Sequence, residues 1–281
     1  MTSTRTRAKS APVKPDVKTQ LLYMIFIMKK AILIVLILVS ASIAAWFLFA
    51  QEGQDGEDPG NLHAYLSDTD EMVRQGDYAA ALERYIWFHE HALEHDPHMT
   101  GVRLSFALCG WRRLADVYPP ALEAMVETRD RAAAQVRSGE GGWDTFSEVQ
   151  SLNGKLEDEA LTVELFQHLH ANQPALAQRA WGLASSEVIA AGEYELAREY
   201  IGNPMHALAS YRRSYERDLG KFEDDAEMEE FFREHNENRF VERTLELMEV
   251  FGGLGRDDLV ERIGAEALET FWDPRIEFAM E

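Results

Sequence analysis

The tightest constraint on how this chain folds is the ladder that opens at Gly76. Tyr78, Ala81, Tyr85 and Phe88 follow it at offsets of two, five, nine and twelve residues. Glycine admits the left-handed backbone of a tight turn. Small or aromatic side chains every third or fourth residue line one face of a helix. The ladder therefore predicts a turn and then a helix whose buried face packs on the helix before it. Proline placement extends the same reading down the chain. Beyond residue 60 the prolines stand at 97, 119, 120, 174, 204 and 274. Proline lacks the amide and clashes inside a helix, so each of these marks a junction between helices. No stretch alternates apolar and polar residues as a half-buried strand does. The expected class is all-α.

The spacing resembles the second half of a tetratricopeptide repeat (TPR), and the block from Gly76 through Pro120 is similar to a bacterial TPR-like family of uncharacterised function. Laid along the chain, the pattern gives five approximate units. Tyr65 and Met72 precede the Gly76 ladder in the first, and Pro97 comes four residues later than usual, an extra turn of helix. A helix over about 101–117, then Tyr118, Ala121 and Met125, make the second. The third has Thr162, Phe166, Leu169 and Pro174, with Glu157 where the turn glycine belongs. Trp181, Gly192, Tyr194, Ala197 and Ile201 make the fourth, cut short by Gly202-Asn203-Pro204. The last uses Leu247, Phe251, Gly255, Val260, Gly264 and Ala267. The equivalent positions Ala81, Ala121, Thr162, Ala197 and Val260 are 40, 41, 35 and 63 residues apart, against 34 in a regular array. The extra length before the last unit holds a Tyr- and Arg-rich helix, Met205–Leu219, and an acidic run around Glu223–Glu230. The resemblance covers about 61–275 and implies an irregular TPR-like α-solenoid of about five helix pairs, each burying its face against its neighbours.

Ahead of that domain (61–281) the sequence divides into three. Residues 1–30 form a basic tail, with Met28 an alternative start. Ala31–Ala50 is uncharged, and its twenty residues span about 30 Å as a helix, the thickness of a bilayer's hydrocarbon core. Residues 51–60 are an acidic, Gly-rich linker. Bases before the apolar run and acids after it predict an uncleaved signal anchor, a membrane-spanning helix with the domain outside the cytoplasm. Cleavage after the small-x-small site Ser42-Ile43-Ala44, releasing a secreted or periplasmic domain, is the alternative. Residues 51–281 carry 48 acids against 21 bases, a net charge of −27. Such a surface repels phosphate backbones and argues against nucleic acid as partner. The dominance of arginine over lysine, with only Lys155 and Lys221 in the domain, also fits a saline habitat or codon bias. The single cysteine, Cys109, excludes an internal disulfide and a multi-cysteine zinc site; its apolar neighbours predict burial.

Few residues suggest chemistry. His91-Ala92-Leu93-Glu94-His95 matches H-x-x-E-H, a zinc-peptidase pattern in which two histidines share a helix face and a glutamate serves as base. A third ligand is missing from the pattern, with Glu159 and Glu164 the available acids. The competing expectation is a set of exposed polar residues. His89 is expected as a satisfied, partly buried histidine. His168 and His170, two apart, face different ways on a helix. Trp87, Trp111, Trp181 and Trp272 have core spacing. No phosphate loop, nucleophile elbow or cofactor motif is present, so the expected protein is not an enzyme and needs no cofactor.

In TPR proteins the first helix of each pair lines the concave groove. The resemblance places His63 and Arg74 there from the first unit, and Arg103, Phe106 and Arg113 from the second. Lys155 comes from the third and Arg179 from the fourth. Acids mapped to the same face are Asp70, Asp144 and Glu148. A basic surplus in so acidic a domain would draw an acidic segment or a C-terminal carboxylate of a protein or peptide, which arginine binds with two parallel hydrogen bonds. Alternatively the arginines pair with neighbouring acids and hold adjacent units together. The leading expectation is thus a membrane-anchored, non-catalytic scaffold. A zinc hydrolase built on 91–95 and a purely structural, self-associating envelope component are its alternatives.

Overall fold

Proline sets where the helices begin. In the computed structural model, which describes residues 60–219 and 226–281, Pro97, Pro119, Pro174, Pro204 and Pro274 each stand first in a helical element. There the absent amide has no partner to lose, and the fixed φ is already helical. The elements are α1 (Leu62–Gln75), α2 (Tyr78–His95) and then α3, a continuous run of Thr100–Val102, a π-helical turn Arg103–Ala107 and Leu108–Ala115. They continue as α4 (Pro119–Ser138), α5 (Trp143–Leu156), α6 (Glu159–Asn172), α7 (Pro174–Ala190) and α8 (Tyr194–Ile201). The last four are α9 (Pro204–Asp218), α10 (Ala226–Gly253), α11 (Asp257–Thr270) and α12 (Pro274–Phe278). The described residues contain no strand, and the protein is all-α there. The basic tail, the apolar run 31–50, nearly all of the acidic linker and part of the acidic run near Glu223 lie outside the described residues. Among those described, no helix is long and apolar enough to cross a membrane.

Four of the helix-to-helix turns share one geometry. At Gly76, Glu157, Gly192 and Gly255 the backbone is left-handed, with φ of 85°, 60°, 76° and 68°. The next amide reaches back to the carbonyl five residues earlier: Asp77 to Met72 at 3.0 Å, Asp158 to Asn153 at 2.9 Å, Glu193 to Val188 at 3.1 Å and Arg256 to Phe251 at 2.8 Å. This bond closes the helix by capping carbonyls that its last turn leaves open. Glu157 adopts the conformation although it has a Cβ, so the turn survives the missing glycine. Five residues past each turn, Ala81, Thr162 and Ala197 are buried and Val260 is half-buried. The α3–α4 turn differs: Tyr118 is extended before Pro119, as the proline ring requires of its predecessor.

Packing follows the chain order. Each of α1 to α7 touches the next helix, α3 touches α5, α5 touches α7 and α4 touches α6, and both α7 and α8 touch α10. α9 packs on α10 and α11, and α12 closes over both α10 and α11. The buried apolar residues fall into three clusters strung along the sequence. One centres on Phe88 and Ala92, the next on Tyr85, Trp111 and Met125, and the largest runs from Ala132 to Ile276. Two expectations of burial need correction. Trp272 is exposed, because the link between α11 and α12 is extended at Phe271 and Asp273. Successive side chains there alternate, and Phe271 is the one that packs inward. Cys109 is only half-buried.

Candidate functional site

The arginines expected on the open groove are mostly engaged by acids. Arg113 bonds Asp70 of α1 at 3.1 Å, and Arg74 pairs with Glu71 one turn before it at 2.6 Å. Arg103 follows the alternative expectation, an arginine that pairs with an acid of the next unit. Its side chain is 12% exposed, and it donates to the His89 carbonyl at 2.6 Å and to Glu148 at 2.5 Å. Two of the three acids mapped to the same face, Asp70 and Glu148, are therefore arginine partners, and the mapped cations without an ion pair among the described residues shrink to Lys155 and Arg179, with Asp144 an acid on the same face. Lys155 is half-buried and Arg179 exposed. Phe106, on the π-turn, is 75% exposed. His63 and Asp144 are exposed at the starts of α1 and α5.

These bonds belong to a longer series that ties first helices together. Asp70–Arg113 joins α1 to α3, and Arg103–Glu148 with Arg112 on the Lys155 carbonyl joins α3 to α5. Gln150 to Glu187 joins α5 to α7, and Ser186 to Glu246 with Arg243 to Ser185 joins α7 to α10. A hydrogen bond to an ionised group contributes about 1.5–3 kcal/mol where it is shielded from water, so the half-buried members carry most of the effect.

Glu148 is the hub of the tightest junction. His89 of α2, 3% exposed, bonds its Oε1 through Nε2 at 3.0 Å, and Arg103 takes the other oxygen. Burial pushes the Glu148 carboxyl up, but the hydrogen bond and charge of His89 and the Arg103 guanidinium outweigh it and hold it down to about 2. The His89 ring stacks edge-on against Trp111 at 5.8 Å, and its buried Nδ1 has no hydrogen-bond partner among the described residues. The expected satisfied histidine is thus satisfied on one nitrogen only. Above this junction lies an open cleft of about 180 Å³, walled by Glu90 of α2, Arg131 and Gln135 of α4 and Arg103 of the π-turn.

The H-x-x-E-H residues take a different arrangement from a metal pair. His91 and His95 both lean on Trp87, with ring centroids 5.6 and 5.3 Å away, and Glu94 contacts His91 at 3.4 Å. Among the described residues no three His, Cys, Asp or Glu side chains converge as a metal site would need. His168 reaches the Arg137 carbonyl while His170 bonds the Tyr200 hydroxyl at 2.9 Å, so the two do point apart. Sequence reasoning placed Glu148 on the groove face but missed its role. Its partners lie 59 and 45 residues away, beyond any local spacing. No family model, curated protein or solved structure matches the chain.

Proposed function

We propose that this protein is a non-catalytic, TPR-like helical-repeat scaffold that binds a protein or peptide along the surface of its first helices. The observation that carries the reading is the recurring turn. The left-handed residue at 76, 157, 192 and 255 is followed in each case, five positions on, by a buried or half-buried residue at the helix crossing. Helices that contact chiefly their near neighbours in sequence are what an irregular solenoid requires. On this reading Phe106, Lys155 and Arg179 face the partner, whose acidic segment or terminal carboxylate meets the two cations. Arg74 and Arg113 are held back by their acids, and Arg103 joins units together.

Phe106→Ala, Lys155→Ala and Arg179→Ala should together abolish partner capture from native membranes while leaving the melting temperature within about 2 °C of wild type. Capture that persists in the triple variant contradicts the assignment. Mass that rises with protein concentration, with no captured partner, favours the self-associating alternative. The proposal includes an anchor at 31–50 with the helical domain outside the cytoplasm. A C-terminal reporter active only in the periplasm should report activity, and one active only in the cytoplasm contradicts that orientation.

A further inference from the structure

The cleft above Glu148 presents unsatisfied hydrogen-bonding edges of both signs. Arg131 is 58% exposed and uses Nη2 on Glu90 Oε1 at 3.0 Å. Its Nε and Nη1 make no hydrogen bond among the described residues. Neither the second oxygen of Glu90 nor the Gln135 amide beside it makes a hydrogen bond among the described residues. Deeper in, both Glu148 oxygens are taken, by His89 and Arg103. Two guanidiniums and two carboxylates thus line one cleft. A plain anion there would meet Glu90 and Glu148 as well as the arginines, and a plain cation would meet the converse. A ligand carrying both charges satisfies both edges. Size narrows it further. At about 180 Å³ the open cleft is well under the ~300 Å³ of ordinary ligand pockets, which favours a small ligand.

We propose that this cleft binds a free α-amino acid, its carboxylate on the open edge of Arg131 and its ammonium on the open oxygen of Glu90, with the Gln135 amide alongside. The two groups that would hold the ligand, Glu90 and Arg131, come from the second helices α2 and α4, whereas the proposed partner contacts come from first helices, so either reading stands if the other fails. The test uses the full chain in a mild detergent, screened by thermal shift and calorimetry against each common L-amino acid. At least one should raise the melting temperature. Its N-acetyl and carboxamide derivatives, each lacking one charge, should bind about tenfold more weakly or worse. Arg131→Gln and Glu90→Gln, both at exposed positions, should melt as wild type and weaken binding by a similar factor. No shift with any amino acid overturns the proposal. So does an N-acetylated form that binds as well as its parent, which reduces the cleft to a carboxylate site, or binding that survives Arg131→Gln.

Discussion

Glu157 holds a left-handed backbone, φ 60°, that its Cβ makes costly by about 1–2 kcal/mol. Glycine would remove that strain but adds roughly 0.5–1 kcal/mol of unfolded-state entropy. Glu157→Gly should therefore stabilise the domain by about 0.5–1 kcal/mol, read as a higher denaturation midpoint in urea. A lower midpoint would mean that the side chain itself supports the turn. Glu148 makes the opposite case, a residue that the fold cannot spare. Its carboxyl is held at about 2 against an ordinary 4.5. A depressed acid stabilises the native state fully above its unfolded value, and that stabilisation disappears as pH falls from about 4.5 towards 2. Glu148→Gln leaves Arg103 shielded from water without its counter-charge, which costs on the order of 3 kcal/mol at neutral pH. The melting gap between wild type and variant should narrow steadily below pH 4.5. A gap that stays constant to pH 2 would show that Glu148 acts by shape alone.

At the scale of helices, the account rests on which faces are buried. Ala81 is fully buried where α2 crosses α1, while Ala79 on the same helix is exposed. Ala81→Leu should overpack the crossing and cost roughly 1–3 kcal/mol, and Ala79→Leu should stay within about 0.5 kcal/mol. Thermal melts with the reverse ranking would shift the register of the whole first pair. This much was legible in the sequence, because a turn glycine and a small residue five positions later are encoded locally. The proline starts were legible for the same reason. The π-turn at Arg103–Ala107 was not, since nothing in its residues forbids an ordinary α-turn. Nor was the His89–Glu148–Arg103 junction, whose members come from three helices and meet only after packing. For Arg103 the sequence leaves two readings, a groove cation or a pair with a neighbouring acid, and it is Glu148, 45 residues away and invisible to local spacing, that gives the second. Trp272 was misread because an aromatic at core spacing was assumed to lie in a helix, whereas the chain there is extended.

For the molecule as a whole, residues 51–281 carry a net charge of −27, yet the first-helix surface keeps Lys155 and Arg179 without ion pairs among the described residues. Of the acids mapped to that face, Asp70 and Glu148 are matched by Arg113 and Arg103, and Asp144 is exposed. On the proposed reading this leaves a local site for a carboxylate on a molecule that otherwise repels one, with Phe106 as its apolar contact. The most direct measurement is position-dependent photo-crosslinking in native membranes. A photoreactive amino acid is placed in turn at Phe106 and Arg179 on first helices, and at Leu122 and Arg137 on the second helix α4; all four positions are exposed. The account predicts one common adduct from positions 106 and 179 and none from 122 and 137. Adducts from the α4 positions alone, or equally from all four, would contradict a partner seated on the first helices.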